Sequence, residues 1–185
     1  MFDHTSNDIT AELAKLHILQ GADFIRQLKN ITQMGVFQLV EEETNIYTAG
    51  SEFSADYDNL LCVAQKAVEY GFTVYILPNP NEIRTADFIF ERKGVYKMFD
   101  LKTISGKSSV GNRLLEPIGQ TNRVLLNIVV GVNPMKLARC VKTYFEHNPN
   151  AVEVMIFKGK KSISVIRNDT THQHFFKIFV AKYVK

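Results

Sequence analysis

The stretch Thr85–Thr103, TADFIFERKGVYKMFDLKT, constrains the fold of this chain more than any other, because it reads as two strands joined by a two-residue turn at Lys93-Gly94. Glycine supplies the positive φ that so tight a hairpin turn requires. With that turn Arg92 faces Val95, and each step outward keeps the sum of the paired numbers constant, so Asp87 falls opposite Asp100. Side chains alternate across a strand. Ala86, Phe88 and Phe90 therefore share one face with Phe99 and Leu101, the expected core side, and Asp87, Asp100 and Lys102 share the other.

Directly opposed residues in a hairpin have Cβ atoms roughly 4.5–5.5 Å apart, a separation at which like charges destabilise the pair. A divalent cation resolves the conflict, since hard ions such as Mg²⁺ prefer carboxylate and water oxygens. Asp87 and Asp100 are the expected ligands, with Mg²⁺ or Mn²⁺ as the expected ion and Zn²⁺ as a third candidate. Lys102, on the same face, would stand beside that ion to orient or deprotonate a water, or to stabilise charge on a phosphate. The same spacing also fits an ordinary exposed hairpin in which Lys102 relieves the two acids through salt bridges.

Around the hairpin the hydrophobic pattern places other elements. Capping residues at Thr5–Asn7 and apolar positions Ile9, Leu13, Leu16, Leu19 and Phe24 predict one N-terminal helix reaching about Lys29. Short extended pieces follow at Gly35 to Val40 and Asn45 to Thr48. Leu60, Leu61, Ala64, Ala67 and Val68 form a helical stripe closed by Gly71, and Phe72 to Leu77 reads as a strand stopped by Pro78-Asn79-Pro80. After the hairpin come a helix near Val110 to Gln120 broken or kinked at Pro117, a buried strand at Val124 to Val130, and a helix from Pro134 to His147. Ala151 to Phe157 and Ser162 to Arg167 form a second hairpin, and the tail HFFKIFVAKYV fits either a strand or a helix.

The expected architecture is thus α/β, a mixed sheet flanked by helices, in a single domain. It comprises an N-terminal extension over 1–50, a core over 54–130 of helix, three strands, helix and strand, and a C-terminal extension over 134–185 that carries a hairpin.

A formal net charge of +3 and a pI near 8.8 do not single out a polyanion as partner. Lys158, Lys160 and Lys161 read as a solvated loop, whereas Lys107, Arg113 and Arg123 follow the acidic pair. Cys62 and Cys140 read as small core hydrophobes in a reducing compartment, without disulfide or metal spacing. His172 and His174 form a metal-like pair with no further His or Cys near in sequence, so a surface position is expected. MFDHTSNDIT lacks the features of a signal peptide, and the longest apolar run is too short to span a bilayer. A cytoplasmic site of action without membrane contact is expected, export as a secreted effector being compatible.

Asp87, then twelve intervening residues, then Asp100-Leu101-Lys102 on a hairpin resembles the PD-(D/E)xK nuclease superfamily, over roughly Ser54 to Val130. The resemblance implies a restriction-endonuclease-like core in which the two acids bind metal and the lysine assists the attacking water. It also implies cleavage of phosphodiester bonds in DNA or RNA, tRNA included. Ala86 stands where the name-giving proline would be, and Asp100 where glutamate is commoner. The superfamily tends to carry an acid on its first core helix; Asp58 is the preferred match, with Glu52 and Asp56 as alternatives, and an aspartate at that place also fits a simple cap. GKSSVGNRLLEPIGQTNR resembles the segment after the lysine in nuclease domains of bacterial contact-dependent inhibition and polymorphic toxins. On that resemblance Gln120 belongs near the site, Lys107, Ser108, Ser109, Asn112, Arg113 and Arg123 contact phosphates, and a cognate immunity protein is a partner. A non-catalytic nucleic-acid- or partner-binding module on a nuclease scaffold is the alternative.

Overall fold

The computed structural model describes residues 5–51, 54–80, 83–106, 110–115 and 121–185. The fold is mixed α/β, and the residues group into two compact units, Met1–Phe99 and Asp100–Lys185. That division falls inside a strand, whereas the sequence pattern offered no boundary there.

The first unit begins with two helices, α1 (Thr5–Lys15) and α2 (Gly21–Thr32), where one was expected. α1 ends at Lys15, residues 16–20 separate the two helices, and α2 opens on Gly21, whose φ of 56° is costly for any residue with a Cβ. The amide of Gln27 on α2 donates to the backbone carbonyl of Glu12 on α1 at 3.1 Å, tying the pair together. Strands β1 (Gln38–Leu39), β2 (Ile46–Thr48), β3 (Thr73–Ile76), β4 (Phe88–Arg92) and β5 (Val95–Ile104) follow, with helix α3 (Tyr57–Glu69) between β2 and β3. β1 and β2 are antiparallel, β2 and β3 parallel, and β3 to β4 to β5 antiparallel. α3 packs against β2 and β3, burying Leu60, Val63, Ala64 and Ala67. Cys62 lies off that stripe and is exposed, which corrects its expected place in the core.

The β4–β5 hairpin has the expected register. Arg92 pairs with Val95 and Phe88 with Phe99, and Lys93 and Gly94 both have positive φ, 53° and 78°. Phe88, Phe90 and Phe99 are buried ring against ring, as the alternation predicts. The opposite side departs from expectation. Ile89 and Met98, on the side that carries the acids in the alternation, are buried against Leu13, Leu28 and Ile31 of α1 and α2, joined by Ala86. The hairpin therefore has apolar cover on both faces, because the amphipathic helices bring their own apolar stripe to its second face.

In the second unit the later half of β5 pairs in parallel with β6 (Arg123–Ile128), β6 in parallel with β7 (Glu153–Lys158), and β7 antiparallel with β8 (Lys161–Ile166). Helices are α4 (Val110–Leu115), α5 (Pro134–His147), α6 (Arg167–Thr171) and α7 (Phe175–Val184). One core joins Val124, Leu126 and Ile128 of β6 to Leu137, Val141 and Phe145 of α5 and to Phe175, Phe179 and Tyr183 of α7. The last three recur at i, i+4 and i+8, which resolves the ambiguous tail as a helix. The lysine loop is more than a solvated face: Lys161 Nζ donates to the Tyr183 carbonyl at 3.3 Å, and Lys158 Nζ lies 3.8 Å from the centre of the Tyr183 ring. Both close the C-terminal end of α7, where cations meet free carbonyls. Among the described residues no helix is long and apolar enough to cross a membrane.

Candidate functional site

β5 brings Asp100 and Lys102 to one side of a strand, two residues apart, and parallel pairing to β6 sets them beside Val124 and Leu126. These neighbours belong to the core that α5 covers, so the expected polar face is largely enclosed here. Asp100 is only 3% exposed. Lys102 Nζ lies 3.0 Å from Asp100 Oδ2, and its own side chain is 16% exposed. A carboxylate withdrawn from water to this degree carries a large desolvation cost that a matched cation offsets.

Tyr144 feels the charge of Asp100 as a minor effect beside its burial. Its phenol, buried on α5, is pushed up to about 12, chiefly by burial; a hydrogen bond from Asn148 opposes the shift, the negative charge of Asp100 adds to it, and Arg167 opposes it. The folded state therefore holds this proton more tightly than the unfolded chain, whose phenol titrates near 10. The stabilisation is fully present below pH 10 and is lost as pH rises from 10 through about 12. Replacing Tyr144 with Phe removes the titration, so the variant should lose about 2 kcal/mol less stability than the wild type between pH 9 and pH 12. Urea unfolding at the two pH values measures the difference, and equal losses in both proteins would contradict the assignment.

Asp87 lies in the first unit, half-buried, one residue before β4, and its N–H donates to the Phe99 carbonyl at 3.0 Å. It thus directly precedes the last paired residue of β4, as Asp100 directly follows that residue's partner on β5. Asp58 is exposed in the first turn of α3, while Asp56 occupies the N-cap position without a side-chain capping bond. Asn112 and Arg113 are both exposed on α4. Glu52, Lys107, Ser108, Ser109 and Gln120 lie outside the described residues. His172 and His174 are exposed, as expected, but flank the α6–α7 junction instead of lying on a strand.

Arg123 takes a place the sequence did not suggest. At the start of β6 its Nε lies 3.2 Å from Oε2 of Glu153, which is 2% exposed on β7, and Ser164 of β8 donates to Oε1 of the same carboxylate at 2.6 Å. The signal available was a lone glutamate in the apolar run AVEVMIF. Asn127, equally buried within β6, is a second polar residue that the apolar reading of VLLNIVV passed over.

Among the described residues no three His, Cys, Asp or Glu side chains cluster to hold a metal ion. Aspartate carboxylates are donors of the kind that Mg²⁺ and Mn²⁺ take, commonly one or two per ion with water and substrate oxygens completing the shell.

No family model and no curated protein matches the chain. Among solved structures it is similar to a chain of the CdiA-CT/CdiI toxin and immunity complex from Burkholderia pseudomallei, with a TM-score of 0.41 and 13% identity, over 70% of this chain and 93% of that one.

Proposed function

We propose that this chain is a metal-dependent nuclease of the PD-(D/E)xK type, in which Asp87 and Asp100 hold Mg²⁺ or Mn²⁺ and Lys102 serves the attacking water. The observation that carries the reading is the enclosed Asp100 carboxylate with the Lys102 ammonium 3.0 Å away, two residues on along the same side of β5. An enclosed carboxylate–lysine pair at a strand centre has a ready chemical use. A bound divalent ion would polarise the scissile phosphate and acidify a water. Lys102, exchanging its partner Asp100 for substrate, would orient that water or neutralise charge gathering on the phosphate. Arg113 and Asn112 of α4, exposed after the site strand, are proposed to meet the sugar–phosphate backbone, which sets affinity without selecting sequence.

The test is cleavage of single-stranded DNA, double-stranded DNA and tRNA by the purified protein with Mg²⁺ or Mn²⁺. The wild type should cut at least one of them and Asp100→Ala none; intact substrates throughout, or equal cleavage by both proteins, would refute the reading.

One observation favours the second reading, a binding module that kept the scaffold: Lys102 neutralises Asp100 without any ion. Thermal stability separates the two. A working site gains stability from Mn²⁺ through Asp100, because the ion binds only the folded state, and a binding module does not. The resemblance of GKSSVGNRLLEPIGQTNR to toxin nuclease segments extends the proposal to an antibacterial toxin with an immunity partner. Bacterial growth arrested by the wild type and spared by Asp100→Ala would support that extension.

A further inference from the structure

Strand β8 is the outer strand of the second unit's sheet, and it lacks the protection that edges usually carry. An unpaired edge templates further pairing, so proteins blunt edges by shortness, lysine, proline, bulges or a covering element. β1, the outer strand of the first unit, is only two residues long. β8 runs for six residues, KSISVI, in unbroken register with β7 and without proline, and its lysine, Lys161, is drawn to the Tyr183 carbonyl at 3.3 Å. Lys158 pairs with Lys161 across the two-residue turn Gly159-Lys160, so Lys161, Ile163 and Val165 take the positions hydrogen-bonded to β7. The backbone N–H and C=O groups of Ser162, Ser164 and Ile166 then point away from β7. Ile166 bears out this parity, because Oδ2 of Asp169 accepts its N–H at 2.9 Å. Among the described residues nothing bonds the outward backbone groups of Ser162 and Ser164, and both residues are exposed.

We propose that β8 pairs antiparallel with β8 of a second copy of this chain, about a two-fold axis at Ile163. The inference rests on no part of the nuclease reading. Open N–H and C=O groups along a strand call for another extended backbone, and the side chains select the copy. In this register Ser162 faces Ser164 of the second copy, and each such pair exchanges both of its backbone hydrogen bonds. The Ser162 hydroxyl then meets Ser164 Oγ, which donates to Glu153 at 2.6 Å and can still accept. Charge fits as well. Lys161 faces Val165 of the second copy, and Lys160 faces its Ile166, where the Asp169 carboxylate stands. The two copies of Lys160 lie about 20 Å apart, beyond the screening length at physiological salt. Moving the axis to Ser164 would set Lys161 against Arg167 and claim the Ile166 N–H that Asp169 already holds.

The test is sedimentation equilibrium of the full chain from about 1 μM to about 1 mM, with amide hydrogen exchange followed residue by residue over the same range. The mean mass should rise from 21.1 kDa toward twice that value. The Ser162 and Ser164 amides should gain protection as it rises, while the Ile163 amide, bonded to β7, is protected throughout. Ser162→Pro deletes an N–H that β7 does not use, a place where an edge strand accepts proline. It should keep the fold by circular dichroism and weaken self-association at least about 10-fold. Lys160→Glu, in the exposed turn, should weaken it by a smaller factor. A single-copy mass at every concentration, exchange at Ser162 and Ser164 that ignores concentration, or a dimer that both variants leave intact would overturn the proposal. So would self-association that Val184→Asp abolishes and Ser162→Pro does not, which would assign the contact to α7.

Discussion

Replacing Lys102 with methionine should cost on the order of 3 kcal/mol of stability in the absence of divalent ions, and most of that loss should be recovered by adding Mn²⁺. Methionine keeps the length of the side chain and its apolar stem, so packing changes little, while the ammonium 3.0 Å from Asp100 disappears. Asp100 is then a carboxylate 3% exposed from which the Lys102 ammonium has been withdrawn. If that place accepts a metal, the ion replaces the missing charge and binds Lys102→Met more tightly than it binds the wild type, whose lysine competes for the same oxygen. Cleavage should nonetheless fall by roughly 10² to 10⁴, the usual contribution of a side chain that serves the water.

Asp100→Asn gives the mirror image: stabilisation by Mn²⁺ should vanish, and affinity for the ion should drop by on the order of 100-fold or more, since even supporting groups around a metal are worth that much. Thermal melts of the three proteins with and without Mn²⁺ decide the matter. Should Lys102→Met remain destabilised at every ion concentration, the pair is a structural ion pair and the nuclease reading loses its carrying observation.

What the sequence disclosed about this region was what local rules determine. Gly94 in a two-residue turn set the hairpin register, and Asp100 and Lys102 fall on one side of β5 as that register requires. Element order from α3 to β6 followed equally well, because each element there ends at a glycine or proline or changes its period. What remained hidden depends on partners distant in sequence. Nothing in Ile89 or Met98 announces that α1 and α2 will cover them, and without that cover the side bearing the acids reads as solvent-facing. The break between Lys15 and Gly21 stayed hidden because apolar residues on both sides of it keep helical spacing. The tail stayed ambiguous because HFFKIFVAKYV places apolar residues at both strand and helical spacing.

Arg123 illustrates how far a basic residue can lie from its apparent role, and its removal should lower stability by about 3–5 kcal/mol. Read from the sequence it was one more cation after the acidic pair, available to a phosphate. In the structure its Nε engages Glu153, the glutamate is 2% exposed, and Ser164 supplies a hydrogen bond to the other carboxylate oxygen. Arg123→Ala leaves that carboxylate 2% exposed without the guanidinium, the Ser164 hydroxyl still donating to it. The destabilisation should therefore come from the stranded charge and not from the lost contact itself. Removing the charge as well tests this directly: Arg123→Ala combined with Glu153→Gln should recover most of the loss, so that the two substitutions are strongly non-additive in urea unfolding. Nucleic-acid binding by folded Arg123→Ala should keep the wild-type salt dependence, whereas Arg113→Ala should flatten the log-log slope by about one unit. An Arg123→Ala protein that unfolds within about 1 kcal/mol of the wild type, and whose salt slope has fallen by about one, would return Arg123 to the substrate surface.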